Sequence, residues 1–293
     1  MRMGSMWRSW WPVALLLPVV VSCGDGPTAP PEALRMESEH FVFLATTASS
    51  SEGEMQEGLV RAEALFQRLG HLVGSEHTPE ERIRVTLHGD LAGRGPYVDF
   101  DGVHLYRYSA EEAGYWAVLA HELVHAFAAE WFIDLEAWNW HTFRYFDEGF
   151  AEFAAQEIDP DKTGFPFYGF PEDVVVGHRV VAGEHIPPAV LRENHQALNQ
   201  PCEVQSYPQR ASWMRYVDET FGRDALLALV YPDEEPTDAV VYGITGTTLA
   251  DIDMAWEAWV IERYAEFPGG AAIAEAYRAR TSWARLCVEG VDW

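Results

Sequence analysis

The segment H-E-L-V-H at residues 121–125 constrains the fold of this chain more than any other feature. Residues four apart lie on one face of an α-helix, so His121 and His125 can point at a single metal ion. Ser109 and Glu112 form a capping-box pattern that predicts the start of this helix. Apolar residues at helical spacing predict its buried side: Trp116, Leu119, Leu123 and Phe127. The segment therefore predicts a core helix with one metal-binding face.

A third ligand is expected in the segment F-D-E-G-F-A-E, residues 146–152. A catalytic zinc ion is held by three protein ligands and keeps a fourth position open for water. Glu148, which lies 23 residues after His125 at the start of a second predicted helix, is the predicted third ligand. The alternatives for this position are His141 and Asp147. Two imidazoles and one carboxylate form a ligand set that suits Zn²⁺.

Glu152 lies one helical turn after Glu148 and shares its face of the predicted helix. A carboxylate in this position can accept a hydrogen bond from a ligand histidine and fix the tautomer of its ring. We therefore predict a supporting role for Glu152 beside the metal. The alternative is a solvated charge on the helix surface.

These residues carry a resemblance to a known family. H-E-L-V-H followed by D-E-G-F-A-E-F resembles the gluzincin metallopeptidases, in particular the peptidase MA-like group. Other signatures fit less well, because Trp131 stands where a metzincin has its third histidine and no G-x-x-D segment follows. The spacing from His125 to Glu148 is a few residues longer than in the best-known gluzincins. An extended connection over residues 131–141 would accommodate the additional residues. The resemblance implies an α+β, zincin-like fold and a Zn²⁺ cofactor.

The resemblance continues towards the C-terminus. S-Y-P-Q-R-A-S-W-M-R-Y-V at residues 206–217 resembles a helix of the same family, and G-T-T-L leading to W-E-A-W at 256–259 resembles its closing helix. Together the similarities cover about residues 36–265, and only the zinc motif is highly specific. The rest is a similarity of pattern.

The resemblance also implies an activity, the hydrolysis of peptide bonds in a peptide or protein substrate. Glu122 would act as general base, and Tyr207 is the first candidate to donate a hydrogen bond to the oxyanion. The alternative for Tyr207 is an aromatic core residue. Residues 100–108 are the expected edge strand that binds extended peptide, although an ordinary structural strand fits them equally well.

Hydrophobic periodicity predicts one α+β domain over residues 36–293. Its N-terminal lobe, to about residue 130, is predicted to hold a small mixed sheet and the zinc helix. The C-terminal lobe, from about residue 131, is predicted to be mainly helical. The predicted strands are 40–46, 82–88 and 102–108, and the predicted helices are 53–72, 207–221, 223–230, 249–265 and 271–286. Glycine and proline at residues 164–171 predict a mobile loop.

The N-terminus has the pattern of a bacterial lipoprotein. Arg2 and Arg8 precede an apolar stretch that is too short to span a bilayer, which predicts a signal peptide over residues 1–22. V-V-S-C resembles a lipobox, so Cys23 is the predicted lipidation site and residues 23–35 the predicted tether. The alternative is an ordinary secretory signal cut nearby. A lipid anchor would place the chain in the bacterial cell envelope, on the membrane.

Charge and cysteine content add two expectations. The formal net charge of −26 disfavours binding to nucleic acid, which would be repelled. With Cys23 lipidated, Cys202 and Cys287 remain as an even pair in an oxidising compartment, which predicts a disulfide between them. The sequence leaves the oligomeric state open.

Two functions from different classes remain at this point. The first is a membrane-anchored zinc endopeptidase, which is favoured over an aminopeptidase because the chain has no G-x-M-E-N-like segment to hold a free amine. The alternative is a binding or scaffold lipoprotein that uses zinc for structure alone. Such a protein would not require Glu122, so its presence favours the enzyme.

Overall fold

The computed structural model describes residues 33–46, 49–89, 96–99, 101–106, 115–128, 140–158, 172–232 and 236–280. Within these ranges the fold is α+β, with strands in the N-terminal part and helices in the remainder. The strands are β1 (Ala33–Glu37), β2 (Phe41–Thr46), β3 (Ile83–His88), β4 (Tyr97–Asp99) and β5 (Gly102–Tyr106). The helices are α1 (Glu52–Val73), α2 (Tyr115–Ala128), α3 (Trp140–Ile158), α4 (Glu172–Ala182), α5 (Pro188–Glu193), α6 (His195–Phe221), α7 (Arg223–Val230), α8 (Asp238–Thr245), α9 (Leu249–Glu266) and α10 (Gly270–Arg280), with a short 3₁₀ turn at Ser75–His77.

The five strands form one mixed sheet in the order β1-β2-β3-β5-β4. Strands β2, β3 and β5 run parallel, and β1 and β4 are antiparallel to their neighbours at the two edges. Alternate residues of the central strands are buried on one face: Phe41, Phe43, Val85, Leu87, Val103 and Leu105. This alternation is the sequence pattern of a sheet that packs one face on a core.

Helix α1 connects the parallel strands β2 and β3, as a parallel pair requires. Ser51 and Glu54 form a capping box that starts α1. Residues at helical spacing then bury one side of α1 in the same core as the sheet: Met55, Leu59, Ala62, Phe66, Leu69 and Val73. The sheet and α1 therefore belong to one continuous hydrophobic core.

Strand β5 begins at Gly102, which pairs with Asp99 of β4 and has a φ of +114°. A Cβ atom at Gly102 would lie 2.3 Å from the backbone oxygen of Arg84, so only glycine fits here. Strand β4 lies outside β5 in the sheet. The expectation that residues 100–108 form the edge strand is wrong for the described residues, because β5 pairs with β3 on one side and β4 on the other.

Helix α3 packs against α2 on one side and against α6 on the other. The close approach of α3 to α6 depends on Gly149, where a Cβ atom would lie 2.8 Å from Met214 Cε and 3.0 Å from Arg210 Cβ. The buried aromatic residues of α3, Phe146, Phe150 and Phe153, belong to the same core as the sheet. Helix α3 is therefore held firmly on both sides.

Strands β2 and β3 and helix α1 match the predicted segments within two residues. Strand β1 was not predicted, and it begins inside the stretch assigned to the tether. Helix α6 begins at His195, well before the predicted start at Tyr207. The predicted signal peptide, Cys23, the 164–171 loop and Cys287 lie outside the described residues, as does the side chain of Cys202. The lipid anchor and the disulfide remain predictions.

None of the described helices is both long enough and apolar enough to cross a membrane.

Candidate metal centre

His121 and His125 on α2 and Glu148 on α3 bring three ligand atoms together. His121 Nε2 lies 3.2 Å from His125 Nε2 and 3.3 Å from Glu148 Oε2. His125 Nε2 lies 3.5 Å from the same Glu148 oxygen. The two histidines are adjacent because they are one helical turn apart, and α3 supplies the carboxylate because it packs against α2.

The distances between the three ligand atoms are close to those between the ligands of a tetrahedral metal site. Four ligands in a tetrahedron about 2.0–2.1 Å from a central ion lie about 3.3 Å from one another. The three separations of 3.2, 3.3 and 3.5 Å bracket this value. His121, His125 and Glu148 therefore form a group that can hold a metal ion.

The state of Glu148 supports the same conclusion. Its carboxylate is buried, and its Oε2 makes no hydrogen bond with any part of the chain that the structure describes. A buried carboxylate oxygen without a hydrogen bond carries a free-energy cost that a bound cation would remove. The orphaned oxygen is the one that lies between the two histidine rings.

Each ligand histidine contacts a carboxylate through its other ring nitrogen. His121 Nδ1 lies 3.2 Å from Glu152 Oε2, and His125 Nδ1 lies 2.9 Å from Asp147 Oδ1. Because Nδ1–H donates to a carboxylate in both rings, Nε2 keeps its lone pair for the metal side. Glu152, expected beside a ligand histidine, takes this position on His121.

Asp147 contacts the ring nitrogen of His125 that faces away from the ligand triangle. The alternative in which Asp147 is the third ligand therefore does not fit. The side chain of His141, the other alternative, lies outside the described residues.

Arg144 joins the two acidic residues of α3 at the site. Its Nη1 donates to Asp147 Oδ2 at 2.5 Å, and its Nη2 lies 2.7 Å from Glu148 Oε1. Burial acts to raise the pKa of Glu148, but the charges of Arg144 and His125 outweigh it and hold the pKa well below its ordinary value. Glu148 is thus poised as an anion, the form that binds a metal.

The carboxylates around the histidines make the centre attractive to cations. Burial disfavours protonation of His121, but the carboxylates of Glu148 and Glu152 beside its two ring nitrogens raise its pKa well above the ordinary value. Burial likewise opposes protonation of His125, while the charges of Asp147 and Glu148 raise its pKa to about 9. A metal ion would therefore displace protons when it binds.

Glu122 follows His121 on α2 and is buried. Burial raises the pKa of Glu122, and the two histidines only partly offset this effect. A raised pKa makes a carboxylate a stronger base, and a general base must accept a proton and later return it.

Tyr207 on α6 lies at the centre as well, with its ring centroid 5.6 Å from that of His121. The buried guanidinium of Arg210 lies 5.6 Å from the Tyr207 ring on its own helix. The structure therefore places Tyr207 beside His121, and its role as oxyanion donor stays a prediction.

Arg144 was not singled out in the sequence. The signal was present, since Arg144 precedes Asp147 by three positions and Glu148 by four, the spacings at which helical side chains meet. Those spacings alone describe many surface ion pairs, so only the burial of both acids identifies the contact as part of the centre.

The sequence was compared with models of known protein families and with curated proteins, and neither comparison gave a match. The interpretation of the centre therefore depends on its own chemistry.

Proposed function

We propose that this chain is a zinc-dependent endopeptidase with a zincin-like fold. The observation that carries the proposal is the triangle of His121 Nε2, His125 Nε2 and Glu148 Oε2, with edges of 3.2–3.5 Å. Two imidazoles and one carboxylate are a ligand set of catalytic zinc. The buried Glu122 beside this triangle favours catalysis over a purely structural metal site.

When bound, zinc would act as a Lewis acid towards a water molecule and towards the scissile carbonyl. Glu122 would accept a proton from the attacking water and later donate it to the leaving amine. Tyr207 would donate its phenolic hydrogen to the carbonyl oxygen as negative charge develops there. Glu152 and Asp147 would keep the two histidine rings in the orientation that presents Nε2.

The sheet offers a place for the substrate backbone. Strand β4 is an edge strand, is antiparallel to β5 and contacts helix α2. An extended peptide can add to such an edge through main-chain hydrogen bonds. We propose β4, in place of β5, as the strand that a peptide substrate would pair with.

Cleavage of a diverse library of quenched fluorescent peptides would test the activity. The zinc-loaded protein would be compared with the Glu122→Gln variant and with Glu57→Gln, which changes an exposed glutamate of α1. We expect cleavage by the wild type and by Glu57→Gln, and loss of cleavage with one zinc still bound in Glu122→Gln. Zinc binding without cleavage in all three proteins would favour the non-catalytic scaffold.

We further propose that the mature chain is held at the bacterial cell envelope by a lipid on Cys23. The lipobox-like V-V-S-C segment supports this proposal. Replacement of Cys23 by alanine should move the protein from the membrane fraction to the soluble fraction. An unchanged distribution would contradict the lipid anchor.

A further inference from the structure

Asp147 and Glu148 use their two oxygens in the same way. One oxygen of each contacts the candidate ligand histidines: Asp147 Oδ1 contacts His125 Nδ1, and Glu148 Oε2 lies between the two Nε2 atoms. The other oxygen of each faces Arg144, at 2.5 Å for Asp147 Oδ2 and 2.7 Å for Glu148 Oε1. One guanidinium thus occupies the outer oxygen of both carboxylates.

We propose that Arg144 is a positioning residue that restricts Glu148 to coordination through a single oxygen. This inference rests on the proposed metal site. With Oε1 paired to Arg144, only Oε2 is available to the metal, and the fourth position stays open. Through Asp147 the same guanidinium also fixes the ring of His125, so it couples two of the three ligands.

The geometry requires an arginine. Arg144 meets its two partners at helical spacings of three and four, and its planar fork offers two N–H donors in fixed directions. Lysine carries the same charge on a single nitrogen and cannot place two donors in this way. Arg144→Lys therefore separates the effect of the fork from the effect of the charge.

Burial makes this interaction stronger than an ordinary surface ion pair. The Asp147 and Glu148 side chains are 3% and 4% exposed, whereas that of Arg144 is 28% exposed. Charge-assisted hydrogen bonds to desolvated carboxylates are stronger and more directional than those in water. Without Arg144, Oε1 of Glu148 would be left in a buried position beside the metal and without its guanidinium donor.

Loss of the fork therefore has two expected consequences. The carboxylate of Glu148 would rotate and bind the metal through both oxygens, which raises the coordination number. The ligands would also be less well oriented, and loss of such support lowers metal affinity by about 10- to 100-fold.

Substitution of cobalt(II) for zinc tests the inference by a readout other than activity. Four-coordinate cobalt absorbs strongly in the visible region, and the absorption weakens as the coordination number rises. The full-length protein would be titrated with cobalt(II) as wild type, Arg144→Lys, Arg144→Met and Arg223→Lys. Arg223 makes a two-pronged contact with Asp218 at 2.6 and 2.7 Å on another helix pair, so Arg223→Lys is a matched control.

We expect intense absorption in the wild type and in Arg223→Lys. Both Arg144 variants should show weaker visible absorption and an affinity lower by about 10- to 100-fold. If Arg144→Met does not fold, the wild type is compared with Arg144→Lys alone, because lysine keeps the positive charge. Wild-type affinity and spectrum in the Arg144 variants would overturn the inference and leave the metal site intact. Failure of the wild type to bind cobalt, or binding that survives His121→Ala, would overturn the metal site itself and the inference with it.

Discussion

Asp147 Oδ1 lies 2.9 Å from His125 Nδ1, so the residue just before the third ligand holds the ring of the second. The contact links α3 to α2 at a point where both side chains are largely buried. Consecutive residues of one helix thus have two positions, since Asp147 contacts an imidazole and Glu148 faces the candidate metal site. The D-E pair of the D-E-G-F motif has a physical meaning in this arrangement.

Removal of this carboxylate should weaken metal binding and leave the ligand set complete. In Asp147→Ala, His125 loses the acceptor that fixes its ring, and we expect zinc affinity to fall by about 10- to 100-fold. Competition with a chromophoric chelator measures the change. Glu57→Ala, which removes an exposed carboxylate from α1, should keep wild-type affinity. Equal affinities in the two variants would show that Asp147 does not support the site.

Much of the centre could be predicted because its chemistry depends on short spacings. His121 and His125 are four apart, and Glu148 and Glu152 are four apart, so the helical period alone aligns each pair. The sequence could not show which oxygen of Glu148 faces the histidines. That detail depends on Arg144, and only the burial of the two acids on its own helix identifies this contact as part of the centre.

The sheet was predicted less completely for a different reason. Strands β2 and β3 have alternating or continuous apolar residues, and such patterns are visible in a sequence. Strand β4 is only Tyr97–Asp99 and has little periodicity, so the edge was assigned to β5. Sheet order depends on pairings between distant residues, and local pattern carries little information about it.

Gly149 allows α3 to pack closely against α6 at the residue next to Glu148, and a larger side chain there should destabilise the fold. A methyl group there would lie 2.8 Å from Met214 Cε and 3.0 Å from Arg210 Cβ. Overpacking of a tight core costs about 1–3 kcal/mol. The higher helix propensity of alanine relative to glycine stabilises a helix by about 1 kcal/mol and partly offsets this cost. We expect Gly149→Ala to be destabilising by up to about 2 kcal/mol, as measured by urea unfolding.

Gly53 on α1 is the control for this effect, because nothing lies within 4 Å of a Cβ atom added there. Gly53→Ala should be neutral or slightly stabilising, since the helical preference of alanine acts alone. If Gly149→Ala were also neutral, α3 and α6 would have room to move apart.

The buried ion pair between Arg192 and Asp253 should contribute more to stability than an exposed ion pair. Arg192 Nη1 and Nη2 lie 3.0 and 2.5 Å from the two oxygens of Asp253, and Trp213 Nε1 donates to Asp253 at 3.0 Å. In Arg192→Met the buried carboxylate loses its counterion, and we expect a loss of about 3–5 kcal/mol in urea unfolding.

The double variant Arg192→Met/Asp253→Asn should recover much of this loss, because asparagine is neutral and still accepts from Trp213. Arg35→Met removes an exposed ion pair with Glu37 and should leave the free energy of unfolding close to that of the wild type. A double variant no more stable than Arg192→Met would contradict the ion-pair explanation.

Acid should destabilise the sheet through His88. His88 Nε2 lies 2.9 Å from His104 Nδ1, and His104 Nε2 lies 2.9 Å from Asp99 Oδ1. When His104 donates to Asp99 through Nε2, its Nδ1 accepts a hydrogen bond from His88. The ring of Tyr97 stacks on His104 and helps to hold it in place.

Burial and then the neighbouring His104 lower the pKa of His88 from its ordinary value of 6.5. As pH falls below 6.5, the unfolded chain takes up a proton at His88 before the folded chain does, so stability is present above this pH and is lost below it. We expect the urea midpoint to fall between pH 7.5 and pH 5.5. The fall should be smaller in His88→Gln, which lacks this titration. An equal fall in both proteins would assign the acid sensitivity to other groups.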